Sequence, residues 1–125
     1  MAYGRDLTII PVQIPNGGSL SAEVAVGGLR IVGIRMPAAW TAAAFTFQAL
    51  VFQPTGNPPA PVFGEVVDSA NAAITVATPA ASTYIALADT AAFIGLGRIK
   101  VRSGTSGLPV NQAAQRDFFL VCASS

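Results

Sequence analysis

The segment Arg98-Ile99-Lys100-Val101-Arg102 decides the fold class, because charged and apolar side chains alternate along it without exception. Successive side chains of a β-strand point to opposite faces, so the segment predicts a strand with one solvated face and one core face. The same period recurs in residues 45–51, where one face carries Phe45, Phe47, Ala49 and Val51 and the other carries Thr46 and Gln48. Residues 117–122 alternate as well, with apolar side chains on both faces of the predicted strand.

Six further segments have the composition of short strands, and residues that favour turns separate them; they are 7–12, 20–26, 29–36, 62–68, 72–78 and 83–87. Asn16-Gly17 and Gly27-Gly28 tolerate positive φ, which predicts two hairpin turns, and a further turn is expected at 104–107. Residues 88–96 alone have the pattern of a short helix, with Asp89 as its cap. We therefore predict one all-β sandwich over 1–125, jelly-roll-like, with eight or nine short strands and a short N-terminal arm at 1–6.

The composition excludes several classes of function. Charged residues make up 10% of the 125 residues, the net charge is +1, and no run of Lys or Arg is present, which argues against binding to nucleic acid. The chain has no His and one Cys, so a Ser-His-Asp triad, a His-ligated metal and a Cys-rich zinc site are excluded. Prolines and polar residues interrupt the charge-free stretches, so no membrane insertion is expected. We expect no catalytic residue, no metal and no cofactor.

Three features are candidates for an interface or a ligand surface. Arg98, Lys100 and Arg102 share one strand face, which either binds an acidic partner or is a solvated face that prevents aggregation; we favour the second interpretation. Trp40 either stacks on a sugar ring or packs at the end of the sandwich or in an interface, and we favour packing. The loop that contains Pro54, Pro58, Pro59 and Pro61 lacks backbone donors, which suits docking or capping rather than pairing in a sheet.

One segment has to be compared with the retroviral-type aspartic proteases. Residues 86–92 place an apolar run before Asp89-Thr90-Ala91, where those enzymes carry Asp-Thr-Gly and pair two carboxylates across a dimer. Ala91 replaces the glycine that lets the backbone approach the catalytic centre, so this reading stays a remote alternative and we predict that the chain is not an enzyme. A carbohydrate-binding β-sandwich module is a second alternative.

Four motifs resemble sequences of small virion structural proteins of tailed bacteriophages and gene transfer agents. They lie at residues 36–48 (Met-Pro-Ala-Ala-Trp-Thr-Ala-Ala-Ala-Phe-Thr-Phe-Gln), 99–105, 109–112 and 116–121, within a resemblance that runs from about Leu20 to Val121. The chain departs from that family after the strand at 45–51, where it carries a proline-rich loop.

The resemblance implies a virion structural protein, made in the bacterial host cytoplasm and built into the particle. We expect a head-attached decoration, spike or fibre-base protein, with a tail or neck component as the second choice. The low charge independently predicts surface that is buried in an assembly. The expected partners are copies of the chain, as a trimer or larger ring, and other virion proteins such as capsid, fibre or tail, with a host surface polysaccharide as an additional candidate.

Overall fold

The computed structural model describes residues 7–52, 62–77, 79–87 and 97–124, with the side chains of 51 and 52 left aside. These ranges contain eight β-strands and no helix, which confirms the all-β prediction. The strands are β1 (Leu7–Ile14), β2 (Val24–Ala25), β3 (Arg30–Arg35), β4 (Phe45–Phe52), β5 (Val62–Glu65), β6 (Tyr84–Ala86), β7 (Arg98–Ser103) and β8 (Arg116–Ala123).

The strands form two four-stranded sheets with antiparallel pairing. The order is β1-β8-β3-β6 in the first sheet and β2-β7-β4-β5 in the second. Successive strands of the chain change sheet at every step except β4 to β5, which are neighbours in the second sheet. This order is that of a jelly roll, in which two interleaved Greek keys form a double sheet. The predicted jelly-roll-like sandwich is therefore confirmed.

The core lies between the sheets and is built from the inward positions of the alternating strands. Phe45 and Phe47 of β4 and Ile99 and Val101 of β7 are fully buried, as the period of two predicted. The first sheet contributes fully buried side chains in the same way, namely Ile14, Ile31, Ile34, Phe118, Leu120 and Cys122. Val121 and Ala123 on the opposite face of β8 are buried too, in agreement with a strand that is apolar on both faces.

The two predicted hairpins are wrong, although both turns form. Gly17, Gly27 and Gly28 have positive φ, at 77°, 58° and 78°, and hydrogen bonds from Gly18 N–H to Pro15 O and from Leu29 N–H to Val26 O close the turns, both at 2.9 Å. Each turn passes the chain from one sheet to the other instead of pairing its flanking strands. Turn residues fix a local reversal of the chain, whereas strand pairing depends on which distant strand lies alongside.

Among the described residues, the strand predicted at 72–78 does not form, and the one predicted at 62–68 ends at Glu65. Residues 20–26 form a strand only at Val24–Ala25, and 72–78 make isolated bridges, from Val76 to Phe45 and from Ala73 to Val67. The arm at 1–6, the loop with Pro54, Pro58, Pro59 and Pro61, and the predicted helix with Asp89 lie outside the described residues. No helix long and apolar enough to cross a membrane occurs in the described ranges.

Candidate functional site

The outer face of β7 carries the three cationic side chains that the sequence singled out. Arg98 is exposed and forms an ion pair with Glu23, with 2.9 Å between Nη1 and Oε1. The Nζ atom of Lys100 lies 4.5 Å from the centre of the Phe63 ring, a cation–π contact. Arg102 is 8% exposed, and its Nη1 donates to both carboxylate oxygens of Glu65, at 2.8 and 3.0 Å.

The expectation of a solvated face is therefore wrong at Arg102. The neighbouring side chain of Thr46, on the face of β4 opposite Phe45 and Phe47, is fully buried; its hydroxyl accepts from Arg102 Nη1 and donates to the carbonyl of Gly104 at 2.8 Å. Alternation shows which residues share a face, but it does not show that β5 brings the Glu65 carboxylate to that face. Since two of the three cations are paired within the chain, this face offers little free positive charge to an acidic partner.

Trp40 packs inside the chain. Its ring lies 4.6 Å from that of Phe45 and, edge-on, 6.2 Å from that of Phe118, so it contacts both sheets at one end of the core. Its indole N–H donates to the carbonyl of Ala43 at 3.1 Å. The structure thus places Trp40 in the packing role that the sequence favoured, with its polar atom already satisfied.

A buried polar network, which sequence reasoning missed, lies next to Trp40. The Gln112 side chain is fully buried, and its Oε1 accepts from Thr41 N–H at 2.9 Å and from Arg116 Nε at 3.0 Å. Its Nε2 donates to Thr41 O at 3.1 Å and to Ser103 Oγ at 2.7 Å. Arg116 Nη2 also donates to the Thr41 hydroxyl, at 3.1 Å. We call Thr41, Ser103, Gln112 and Arg116 the Gln112 hub.

The Gln112 hub explains what the resembling motifs do in this chain. Trp40-Thr41, Ser103, Gln112 and Arg116 all belong to those motifs, and here they join the segment before β4, the end of β7 and the start of β8. Gln112 and Thr41 lie outside the alternating pattern of the strands, and these two polar residues were the sequence feature from which the hub could have been predicted. Its polar atoms hydrogen-bond to one another, so the hub is built for rigidity rather than for substrate chemistry.

The grooves and acidic groups of the described residues offer little chemistry. A groove of about 470 Å³ runs between β1 and residues 20–24, and its one ionisable lining side chain, Glu23, is held by Arg98. No three His, Cys, Asp or Glu side chains lie together in a way that could hold a metal ion within the described ranges. Cys122 is buried between the sheets, and burial raises the pKa of its thiol, so it is a small apolar core residue.

Comparisons with known proteins support the fold. No protein family and no curated protein match the sequence. Among solved structures, the chain is similar to the SPBc2 prophage-derived protein YomS, with a TM-score of 0.52 and 11% identity over 99% of this chain and 98% of that one. The mitogen of Yersinia pseudotuberculosis gives a TM-score of 0.36 and 13% identity, over 97% of this chain and 87% of the mitogen. The likeness to YomS, which spans nearly the whole of both chains, shows that the two proteins share a fold.

Proposed function

We propose that this chain is a non-enzymatic structural protein of a tailed phage or phage-like particle. Within the particle we propose a head-attached decoration, spike or fibre-base role first, and a tail or neck position second. The observation that carries the proposal is the full-length likeness to YomS, a protein derived from a prophage. The resemblance of residues 36–48, 99–105, 109–112 and 116–121 to virion structural proteins supports it independently.

The physical role that suits these features is a rigid, symmetric building block. The Gln112 hub and the buried Arg102–Glu65 pair use polar side chains to fix the ends and the edge of the sandwich. In a particle with many identical positions, weak contacts of each copy add up to firm attachment, because binding of one copy raises the effective concentration of the next contact. On this proposal, the chain acts through its rigid shape and through the number of contacts that its copies make in the particle.

The experiment that tests the proposal is mass spectrometry of purified particles from the host that encodes the chain. We expect the chain in the particle fraction at a copy number fixed by symmetry, with an abundant host cytoplasmic protein as the control for carry-over. Cryo-electron microscopy of the same particles then separates a head position from a tail or neck position. Absence of the chain from particles that assemble normally would overturn the proposal.

The proposal also states that Asp89 has no catalytic role. We expect Asp89→Asn to leave incorporation into particles unchanged, because the Asp89-Thr90-Ala91 sequence lacks the glycine of the protease motif. A peptidase activity of the purified chain that disappears in this variant would show the opposite.

A further inference from the structure

The outer face of the first sheet is apolar, unlike that of the second. Its outward side chains on β1, β8 and β6 include Leu7, Ile9, Pro11, Phe119, Val121, Ala123, Tyr84 and Ala86. Four of them are large and exposed, with 60% for Leu7, 38% for Ile9, 40% for Phe119 and 54% for Tyr84. The second sheet instead carries Arg98, Lys100, Arg102 and Glu65 outward. An antiparallel sheet that meets water normally has a polar outer face. The chain itself already covers Val121 and Ala123, which are 3% and 2% exposed, so the open apolar surface lies around the four large exposed side chains.

Three charged side chains lie on or beside this apolar surface without an opposite charge among the described residues. Arg30 and Arg35 of β3 both point outward, and neither makes an ion pair with a described residue; the Nε atom of Arg30 is buried without a hydrogen-bond partner. Within the described ranges, the Asp117 carboxylate of β8 accepts from amides alone, from Gln13 at 3.0 Å and from Gln115 at 3.3 and 3.4 Å. Arg35 is exposed, and a second, suitably placed copy of the same face can neutralise the charges of Arg35 and Asp117.

The register of the first sheet is compatible with a two-fold pair of these faces. Pro11, Phe119, Arg35 and Tyr84 are lateral neighbours in one row across β1, β8, β3 and β6. A two-fold axis parallel to the strands, midway between β8 and β3, sets Arg35 of one copy against Phe119 of the other. Asp117 lies two residues from Phe119 on the same face of the strand, about 7 Å away and within reach of an arginine.

The same axis places Tyr84 of one copy opposite Pro11 of the other. Tyr84 lies over Gly33, where its hydroxyl fills the space that a Cβ would occupy, and it leaves about half of its surface exposed. At the other end of the row, a shallow depression of about 310 Å³ lies beside Pro11 and Phe119, with Asp117 among its lining residues. In the two-fold pair, the exposed ring of Tyr84 meets this depression in the second copy. An isologous contact requires this kind of self-complementarity.

We propose that the outer face of the β1-β8-β3-β6 sheet is the contact between two copies of this chain, with Arg35 of each copy paired to Asp117 of the other. With strands about 4.8 Å apart and about 3.4 Å per residue, two strands of eight residues, one of six and one of three give a face of about 400 Å². Since a standard interface buries about 800 Å² on each side, the pair is weak and depends on concentration. This pairing goes beyond the virion role, and it differs from the trimer or larger ring expected from the composition.

Sedimentation velocity of the purified full chain over a wide concentration range tests the pairing. We expect a reversible monomer–dimer equilibrium, and we expect Arg35→Glu and Asp117→Arg each to weaken it about tenfold or more through like-charge contacts. In an equimolar mixture of these two variants, each contact between unlike copies joins opposite charges, so the mixture should associate again. Circular dichroism checks that both exposed substitutions leave the fold intact.

A matched pair of substitutions tests the apolar part of the contact. We expect Phe119→Lys to abolish association and Leu108→Lys to leave it unchanged, because Leu108 is 74% exposed but lies in the loop between β7 and β8. The proposal would be overturned if the wild-type chain were monomeric at every concentration or formed a trimer. It would also be overturned if the single variants associated like the wild type, or if their mixture stayed monomeric. These experiments measure only association between copies of the chain. A chain that does not dimerise can still belong to the virion, and a chain that is absent from particles can still dimerise, so the two proposals are tested separately.

Discussion

At the residue scale, Gln112 shows how one buried amide connects distant segments. Its side-chain atoms make four hydrogen bonds, while its backbone N–H donates to Gly18 O and its carbonyl accepts from Gly17 N–H, both at 2.9 Å. A fully buried amide is stable only when its donors and acceptors are satisfied, and here each of them has a partner. The residue thus fixes the turn after β1, the segment before β4 and the approach to β8 relative to one another.

We expect Gln112→Ala to lower the free energy of unfolding by about 3 kcal/mol or more. The truncation removes the partner of the Thr41 backbone groups, of the Ser103 hydroxyl and of the Arg116 Nε atom, at about 1–3 kcal/mol for each buried group. Urea denaturation measures the loss. The control is Gln115→Ala, whose exposed side chain hydrogen-bonds to Asp117 and to no other residue that the structure describes, and we expect it to stay within about 0.5 kcal/mol of the wild type. Equal effects of both variants would contradict the structural role of the hub.

The buried thiol of Cys122 predicts a dependence of stability on alkaline pH. Burial raises the pKa of Cys122 in the folded chain above its value in the unfolded chain. The unfolded chain therefore releases the thiol proton first, so this contribution to stability is complete below the ordinary thiol pKa and is lost as the pH rises through the folded pKa.

Urea denaturation of the wild type and of Cys122→Ala at several pH values checks the dependence. We expect the stability advantage of the wild type to shrink as the pH rises above the ordinary thiol pKa, because only the wild type has this thiol to ionise. A constant difference between the two proteins would show that the thiol ionises equally in the folded and unfolded chains.

At the scale of the element, β7 carries two ion pairs in contrasting surroundings. The Arg98–Glu23 pair is exposed, with side chains 53% and 40% accessible, whereas the Arg102–Glu65 side chains are 9% and 21% accessible. Both arginines lie on the same face of the same strand, two positions from Lys100 on either side. Their neighbours differ because Arg102 is level with Thr46 of β4 and within reach of Glu65 on β5, while Arg98 pairs with β2.

We expect Glu65→Ala to destabilise the chain by about 3 kcal/mol and Glu23→Ala by about 0–1 kcal/mol. Removal of Glu65 leaves a nearly buried guanidinium without a counter-charge, whereas Arg98 stays hydrated after the loss of Glu23. Thermal or urea unfolding of the two variants side by side measures the difference. Similar losses for both would mean that burial of Arg102 does not set the strength of its ion pair.

At the scale of the whole molecule, the two ends of the chain hold the fold together. β1, near the N-terminus, pairs with β8, near the C-terminus, over eight residues, and β8 lies in the sheet between β1 and β3. The chain therefore cannot complete its first sheet until both ends are in place. Because this sheet depends on contacts between residues far apart in sequence, we expect that no single segment of the chain is stable without the rest and that unfolding is cooperative.

We expect unfolding to be a single two-state transition. Trp40, the one tryptophan of the chain, contacts Phe45 in the second sheet and Phe118 in the first, so its fluorescence reports the docking of the two sheets. Far-ultraviolet circular dichroism reports the strands themselves. Under urea the two signals should change together, as expected for one domain over 1–125. Two separate midpoints would indicate that the sheets form independently.

The sequence by itself determined the longer strands and their inward faces, while the strands predicted at 20–26 and 72–78 were shortened or did not form. Phe45, Phe47, Ile99 and Val101 could be assigned to the core because alternation follows from the geometry of a single strand, and each strand reveals it without knowledge of its neighbours. The short strands with turn signals between them likewise pointed to a jelly-roll-like sandwich, and the Trp40 packing role followed from the residue type.

Tertiary structure alone decided the rest, because the deciding contacts join residues far apart in sequence. It made the turns at Gly17 and at Gly27-Gly28 cross between sheets, and it buried Arg102 by bringing Glu65 to its guanidinium. It also brought Thr41 and Arg116 to the Gln112 amide, a site with no periodic signal. A local pattern predicts the direction in which each side chain points. The residue that the side chain contacts depends on which distant strand the fold places beside it.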